Sequence, residues 1–324
     1  MKKGLSVLIL ALLIVSGCTH RRTRFIRRTS MVMGTVVNID VPETMPWAAD
    51  SAMAMFFLVD SLMSPVRENS DVARINAGAG RWVRVSPLTA ECIRYAVKVG
   101  TLSGGAFDIT AGKLVHLWHF DTETGWHEPP PKLIDSVKKF VDFRKIQVDG
   151  DSVWIAPGQR IDLGGIAKGF AIDLAARKLM QLGVRNALVD AGGDIFAIGE
   201  GPSGKWRIGI RDPFNSSGIM SILDISNLSV CTSGNYERFI EINGKRYSHI
   251  FDPRTGWPVM GVVSVTVVGP EAVMCDGLAT AVFVLGKRAG IPLIESLDGY
   301  EALMVTTDDT VYTSGFRKYL ESGR

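Results

Sequence analysis

The sequence is short of several things. It has only 4 cysteines in 324 residues and no CxxC pair. Apart from Cys18, the three that remain (Cys92, Cys231 and Cys275) are odd in number and widely spaced, which excludes a disulfide framework and marks them as small buried residues. Charge of one sign is also scarce. A net charge of +3 is too small for a chain whose main partner is nucleic acid. There is no internal repeat and no low-complexity block, and the glycine turn at residues 162–169 is neither GxGxxG nor a Walker loop. No linker separates domains after residue 30.

What is present begins at the N-terminus. Lys2 and Lys3 precede an apolar run, Leu5–Val15, that is too short to span a bilayer as a mature helix and reads as a signal peptide over residues 1–17. Val15-Ser16-Gly17-Cys18 puts small residues before a cysteine, the pattern of a bacterial lipobox, in which Cys18 is acylated and becomes the new N-terminus. Several acyl chains anchor durably where one binds marginally. Residues 18–30 then form a basic tether carrying Arg21, Arg22, Arg24, Arg27 and Arg28, next to the membrane. With so much positive charge in the leader and tether, the body from residue 31 is close to neutral or slightly acidic.

The body reads as α+β, with mixed, largely antiparallel sheets and packed helices. Alternation predicts a strand over 31–41, and helical spacing a helix over 47–63. Residues 64–86 read as a loop and a short strand. Pro87 introduces a helix over about 88–103 that stops at Gly104-Gly105, and residues 121–136 read as a surface excursion. A hairpin surrounds Asp149-Gly150-Asp151, and a helix follows at 166–182. Strands are expected at 185–190, 194–198, 205–211, 219–225, 236–243 and 262–268, a helix from about Asp276 to Gly286, a second at 288–297, and two last strands at 301–306 and 310–314. Strands and helices do not alternate regularly, which argues against a doubly wound sheet.

Three constellations carry chemistry. In Asp162-Leu-Gly-Gly-Ile-Ala-Lys168-Gly-Phe-Ala-Ile-Asp173 a strand, a glycine turn and a helix start succeed one another, a place where free N–H groups favour anions. Lys168 in a first helical turn opposes the helix dipole and calls for a phosphate or carboxylate partner. Asp276 and Thr280, four apart, share one helix face and offer hard oxygen ligands suited to Mg2+; the plainer reading is a helix N-cap with a buried hydroxyl. In Tyr247-Ser-His249-Ile250-Phe-Asp-Pro-Arg-Thr-Gly256, His249 is either a general base or a histidine satisfied by a loop.

Met33-Gly34-Thr35, Gly105-Ala106-Phe107-Asp108-Ile-Thr110, DLGGIAKG, Ala191-Gly-Gly-Asp194, Cys231-Thr-Ser-Gly-Asn-Tyr236, SHIFDPRTG and Cys275-Asp276-Gly-Leu-Ala-Thr280-Ala occur in one order along the chain. Together they resemble the ApbE family, the FAD:protein FMN transferases once labelled thiamine-biosynthesis lipoproteins, from about Met33 to Phe316. The resemblance implies a single T-fold-like catalytic domain over 31–320 with FAD bound between its two halves. It implies transfer of FMN from FAD to a Thr or Ser hydroxyl of an acceptor flavoprotein, with release of AMP and with Mg2+ on the pyrophosphate. It carries FAD contacts onto Met33, Ala106, Phe107, Asp108, Asp162, Lys168 and Ile250. Mg2+ ligation falls on Asp276, Thr280 and the Gly165 carbonyl, and proton abstraction on His249, with Asp276 able to share it. The lipobox fits an envelope lipoprotein on the periplasmic face of the inner membrane, serving flavoprotein subunits of redox complexes. Val66 departs from the family, standing where many members carry an aromatic that covers the flavin, and this keeps FAD hydrolysis to FMN and AMP as an alternative activity. A non-catalytic flavin-binding lipoprotein is the alternative of another class, and a metal-binding pair argues against it. No acceptor motif is present, so self-flavinylation is not expected.

Overall fold

The computed structural model describes residues 23–118, 128–215, 217–236, 239–242 and 245–321. Cys18, the signal peptide and residues 121–127 of the expected surface excursion lie outside them. Eight strands form the main sheet: β1 (Phe25–Val32), β2 (Thr35–Pro42), β3 (Ala187–Ala191), β4 (Asp194–Ile198), β5 (Leu228–Gly234), β6 (Val262–Gly269), β7 (Glu301–Thr306) and β8 (Thr310–Tyr312). They stand side by side in chain order, and every neighbouring pair is antiparallel. The helices are α1 (Pro46–Met63), α2 (Asp71–Ala77), α3 (Pro87–Leu102), α4 (Gly112–Trp118), α5 (Pro131–Lys138), α6 (Ala167–Gln181) and α7 (Ala272–Glu295). The fold is α+β, as the sequence predicts.

One face of the sheet is covered by α1, α6 and α7. Val37 and Ile39 of β2 and Val265 and Val267 of β6 meet Phe56, Phe170, Leu278 and Phe283 there. The other face is covered by the hairpin Trp206–Arg211/Ile219–Ile225, whose Trp206, Ile208 and Leu223 pack with Val268, Leu303 and Phe316. β6 is buried at all eight positions, as a strand covered on both faces must be, and its β-branched run suits that place. α7 is long and apolar enough to cross a membrane, but here it is the core helix under the sheet. A third apolar cluster joins α4 and α5 to Tyr247 and Phe251. Cys92, Cys231 and Cys275 are buried free thiols, and burial holds all three above the usual thiol range.

Several expectations need correction. The strand expected at 31–41 is the second half of a hairpin. Met33 and Gly34 both take left-handed φ (55° and 71°) and form its two-residue turn, the geometry that matches strand twist. β1 therefore begins at Phe25, inside the segment expected to be tether, and Arg27 and Arg28 stand on a strand. The loop expected over 64–86 contains α2, capped by Ser70, whose hydroxyl accepts from the Ala73 amide. β5 was hidden in Val-Cys-Thr-Ser-Gly, which looks like turn chemistry. It pairs on both sides, with β4 and β6, so tertiary pairing overrides local composition. α7 begins at Ala272, four residues before Asp276, which removes the reading of Asp276 as an N-cap. Its break at Gly286 (φ 66°, ψ −176°) separates two helical pieces where the sequence places it.

Candidate active site

The strand-to-helix turn at 162–168 lies against the first turns of α7. Gly169 has no Cβ, and one built there would sit 2.3 Å from the Ala272 carbonyl oxygen and 2.7 Å from the Asp276 Cβ. That absence lets α6 and α7 touch, and the Gly169 amide donates to Asp276 Oδ2 at 2.9 Å. Asp173, one turn further along α6, accepts from the Ala272 and Val273 amides, each at 2.9 Å. It therefore caps α7 from a neighbouring helix and satisfies donors that Glu271 at the N-cap position does not.

Asp276 is 5% exposed. Burial pushes its carboxyl up to about 6; Lys168 opposes that rise and the nearby Asp194 carboxylate adds to it. Lys168 has the anionic partner its position demands, an ion pair with Asp194. Asp194 is buried, and its other oxygen accepts from the Thr232 amide of β5 at 2.9 Å. One turn along α7 from Asp276, the Thr280 hydroxyl shares a hydrogen bond of 3.1 Å with Ser233 of β5. A Cβ on Gly165 would lie 3.7 Å from Thr280 Oγ1 and 3.1 Å from the Phe107 ring. Gly165, Asp276 and Thr280 thus come together, with Lys168 and Phe107 beside them.

The other motifs join the same region. A Cβ on Gly192 would strike Thr35 Oγ1, and the Gly192 amide donates to the Val36 carbonyl, so the Met33-Gly34 turn sits beside Ala191–Asp194. Met33 is half-buried there, packed against the core. The Asp162 amide donates to the Ile109 carbonyl, which ties DLGG to GAFDIT. Ala106, Phe107 and Ile250 are buried in the core that α6 and α7 share. Gly104, Gly105, Asp108 and Arg144 face Pro253 and Arg254 across a cavity of about 420 Å3, so the SHIFDPRTG segment closes one side of it. His249 is half-buried, next to Ser248, whose hydroxyl accepts from the Ile250 amide.

Two expected ligand carboxylates have structural duties as well. Asp108 Oδ1 accepts from the amide and hydroxyl of Thr110, and its Oδ2 from the Phe143 amide. Asp162 Oδ1 accepts from the Gly164 amide and shapes the glycine turn. Burial raises both above the usual carboxylate range. Ser233, Asp194 and Asp173 are the residues sequence reasoning left unassigned. Each stood inside or at the end of a quoted motif, and an unexplained Lys168 was the one signal pointing at Asp194.

The donor set suits a hard cation. Asp276 and Thr280 offer oxygen, and the missing Cβ of Gly165 leaves room at Thr280. Mg2+ commonly takes one or two protein carboxylates and completes its shell with water and phosphate oxygens.

The sequence profile of the ApbE family matches residues 33–304. The chain is similar to the FAD:protein FMN transferase of Haemophilus influenzae, 29% identical over 99% of each protein. It is also similar to that of Treponema pallidum, 33% identical over 96% of this chain and 92% of the relative. Among solved structures it superposes on the ApbE protein of Thermotoga maritima with a TM-score of 0.86 at 30% identity, covering 92% of this chain and 100% of that one. On the flavin transferase ApbE from Vibrio cholerae the TM-score is 0.83 at 29% identity, with the same coverage. With its motifs gathered at the junction of α6 and α7 and its relatives aligned over nearly their whole length, the chain belongs to the ApbE family.

Proposed function

We propose that the protein is a FAD:protein FMN transferase. The acceptor hydroxyl oxygen forms a bond to the FMN phosphorus of FAD, the pyrophosphate P–O bond breaks, AMP departs with the bridging oxygen, and the hydroxyl proton passes to a base. The observation that carries this is the gathering of six collinear motifs around Lys168, Asp276, Thr280 and Gly165, with the seventh, SHIFDPRTG, across a cavity from Asp108, in a chain whose relatives bear that activity. Phosphoryl transfer needs positioning and charge neutralisation more than covalent help, and this cluster offers that. Asp276, Thr280 and the Gly165 carbonyl would hold Mg2+, which neutralises pyrophosphate charge when bound. Met33, Ala106, Phe107, Asp108, Asp162, Lys168 and Ile250 bind FAD. Phe107 supplies an apolar wall beside Gly165, and Lys168 a cation held in place by Asp194. His249 takes the acceptor proton, or Asp276 does. Cys18 is acylated and anchors the chain on the periplasmic side of the inner membrane, where the acceptor is a flavoprotein subunit of a redox complex.

A second reading, hydrolysis of FAD to FMN and AMP, is favoured by Val66. It stands 86% exposed between α1 and α2, and offers no ring to shield bound flavin from water. The test incubates the protein with FAD, Mg2+ and a candidate acceptor, and measures AMP release beside in-gel flavin fluorescence. Labelled acceptor with matching AMP, both lost in Asp276→Ala, is the expected result. AMP and FMN without labelling select the hydrolase, and no AMP under any condition leaves only a binding protein.

A further inference from the structure

α1 is a surface helix with an unusual outer side. Its eighteen residues, PWAADSAMAMFFLVDSLM, include no Lys, Arg or Glu, and its two acids are both paired with arginines, Asp50 with Arg28 and Asp60 with Arg67. At 100° per residue, Trp47, Ala54, Leu58 and Ser61 fall within about 60° of one another, and Asp50 and Phe57 border them. All but Asp50 and Trp47 sit beyond the first turn, and the large apolar members stay in solvent: Trp47 is 52%, Phe57 48% and Leu58 37% exposed. The inner side of the same helix is fully used, by Ala48, Ala52, Phe56 and Val59 in the core.

β1 places positive charge at the edge of this strip. Ile26 packs into the core under α1, so Arg28, two residues on, shares its face of the strand, and Arg24 directly precedes β1, its carbonyl accepting from the Glu43 amide. Arg28 Nε reaches Asp50 Oδ1 at 3.2 Å. Covalent geometry then limits what can cover the strip. Cys18 precedes Arg24 by six residues, a reach of at most ~22 Å. A body held through an acylated Cys18 must keep this end of β1 near the bilayer.

We propose that the outer strip of α1, with Arg24 and Arg28, seats the anchored protein on an anionic lipid surface. This rests on the reading of Cys18 as the acylated residue. Apolar side chains rimmed by arginine are what an interfacial helix uses, with Trp, Phe and Leu entering the headgroup boundary and the cations meeting lipid phosphates. The proposal goes beyond anchoring, because it fixes which side of the enzyme lies down.

The full-length lipoprotein tests it. Leu58→Cys, or Ala54→Cys should position 58 repack, is labelled with an environment-sensitive fluorophore; the native Cys92, Cys231 and Cys275 are buried and Cys18 is blocked by its acyl chains. Ile219→Cys, on the hairpin that covers the opposite face of the sheet, is the control, its native side chain being 65% exposed. On vesicles of phosphatidylcholine and phosphatidylglycerol the labels at 58 and 54 should shift to the blue and the label at 219 should not. Protein that floats with vesicles while both labels keep their aqueous emission overturns the proposal and leaves the anchor intact. A blue shift that grows with protein concentration in the absence of vesicles overturns it in favour of a second copy of the chain. Protein that does not float at all sinks the anchor reading, and this face with it.

Discussion

At Asp276 burial and charge pull in opposite directions. The protein interior disfavours the carboxylate and lifts its titration to about 6, while Lys168 steadies the ionised form and the Gly169 amide holds one oxygen. A cation at this position would be held by a carboxylate that the fold has already oriented. Asp276→Ala should abolish Mg2+-dependent AMP release with the fold intact by circular dichroism. Ser233 tests the support behind the ligands. Its hydroxyl fixes Thr280 at 3.1 Å, and loss of such an outer partner typically costs about 10–100-fold in metal affinity or activity. Ser233→Ala should therefore raise the Mg2+ concentration needed for half-maximal AMP release by about that factor; an unchanged Mg2+ titration would show Thr280 to be no ligand. The residues bearing chemistry were partly legible in sequence for local reasons. Lys168 stands out by its misfit with the helix dipole, whereas the i,i+4 spacing of Asp276 and Thr280 reads, on its own, more plainly as an N-cap with a buried hydroxyl. Their partners were not legible. Ser233 is 47 residues from Thr280 and Asp194 is 26 from Lys168, and no periodicity links positions that meet only where α6 and α7 pack on the sheet.

The contact between α6 and α7 is the element on which the site depends, and two substitutions probe it differently. Gly169→Ala puts a methyl 2.3 Å from the Ala272 carbonyl oxygen. Overpacking of this kind costs about 1–3 kcal/mol, visible as a lower urea midpoint, and should spread Gly165 and Asp276 apart so that activity falls further than stability. Asp173 gives the pH signature. Burial raises its carboxyl from 3.8 to about 6 while the α7 amides it caps pull the other way. Between about pH 4 and 6 the folded state then holds a proton that the unfolded chain has released, so this group's contribution makes stability fall as pH rises through that window and level off above it. Asp173→Asn should remove this part of the slope, of order 3 kcal/mol at most, while weakening the cap at every pH. Unfolding free energies at pH 4.5 and 7 in both proteins check it. Asp276 slopes in the same direction, so the difference between the proteins isolates Asp173. An identical slope in the variant would mean that Asp173 is not protonated in the fold. The helices that frame this contact were readable from apolar spacing, because one buried stripe per helix is enough to set the period. β5 was not readable, since Thr, Ser and Gly are there to make room and hydrogen bonds for the site. The start of α7 was missed for a related reason: its cap comes from Asp173, a hundred residues upstream, and leaves no mark beside it.

Across the whole molecule the site has contributions from the β1–β2 turn, the glycine turn before α6, β5 and α7, segments that adjoin only when the sheet and its helix layer are complete. Binding there is linked to global stability, because a ligand that recognises all of them has no affinity for the unfolded chain. At 100-fold excess over its dissociation constant such a ligand adds about 2.7 kcal/mol, which raises the thermal midpoint by several degrees in a chain of this size. FAD alone should give part of that rise, through Lys168, Phe107 and Ile250, and Mg2+ added with FAD should give a further increment that Mg2+ without FAD does not, since one protein carboxylate and one hydroxyl hold the ion weakly until phosphate oxygens join them. In Asp276→Ala the FAD increment should survive and the Mg2+ increment should vanish, as read by a thermal melt of each protein with neither, either and both ligands. Survival of the Mg2+ increment in the variant would place the ion away from α7, and the chemistry would then have to be argued from the Asp108–Arg254 side of the cavity.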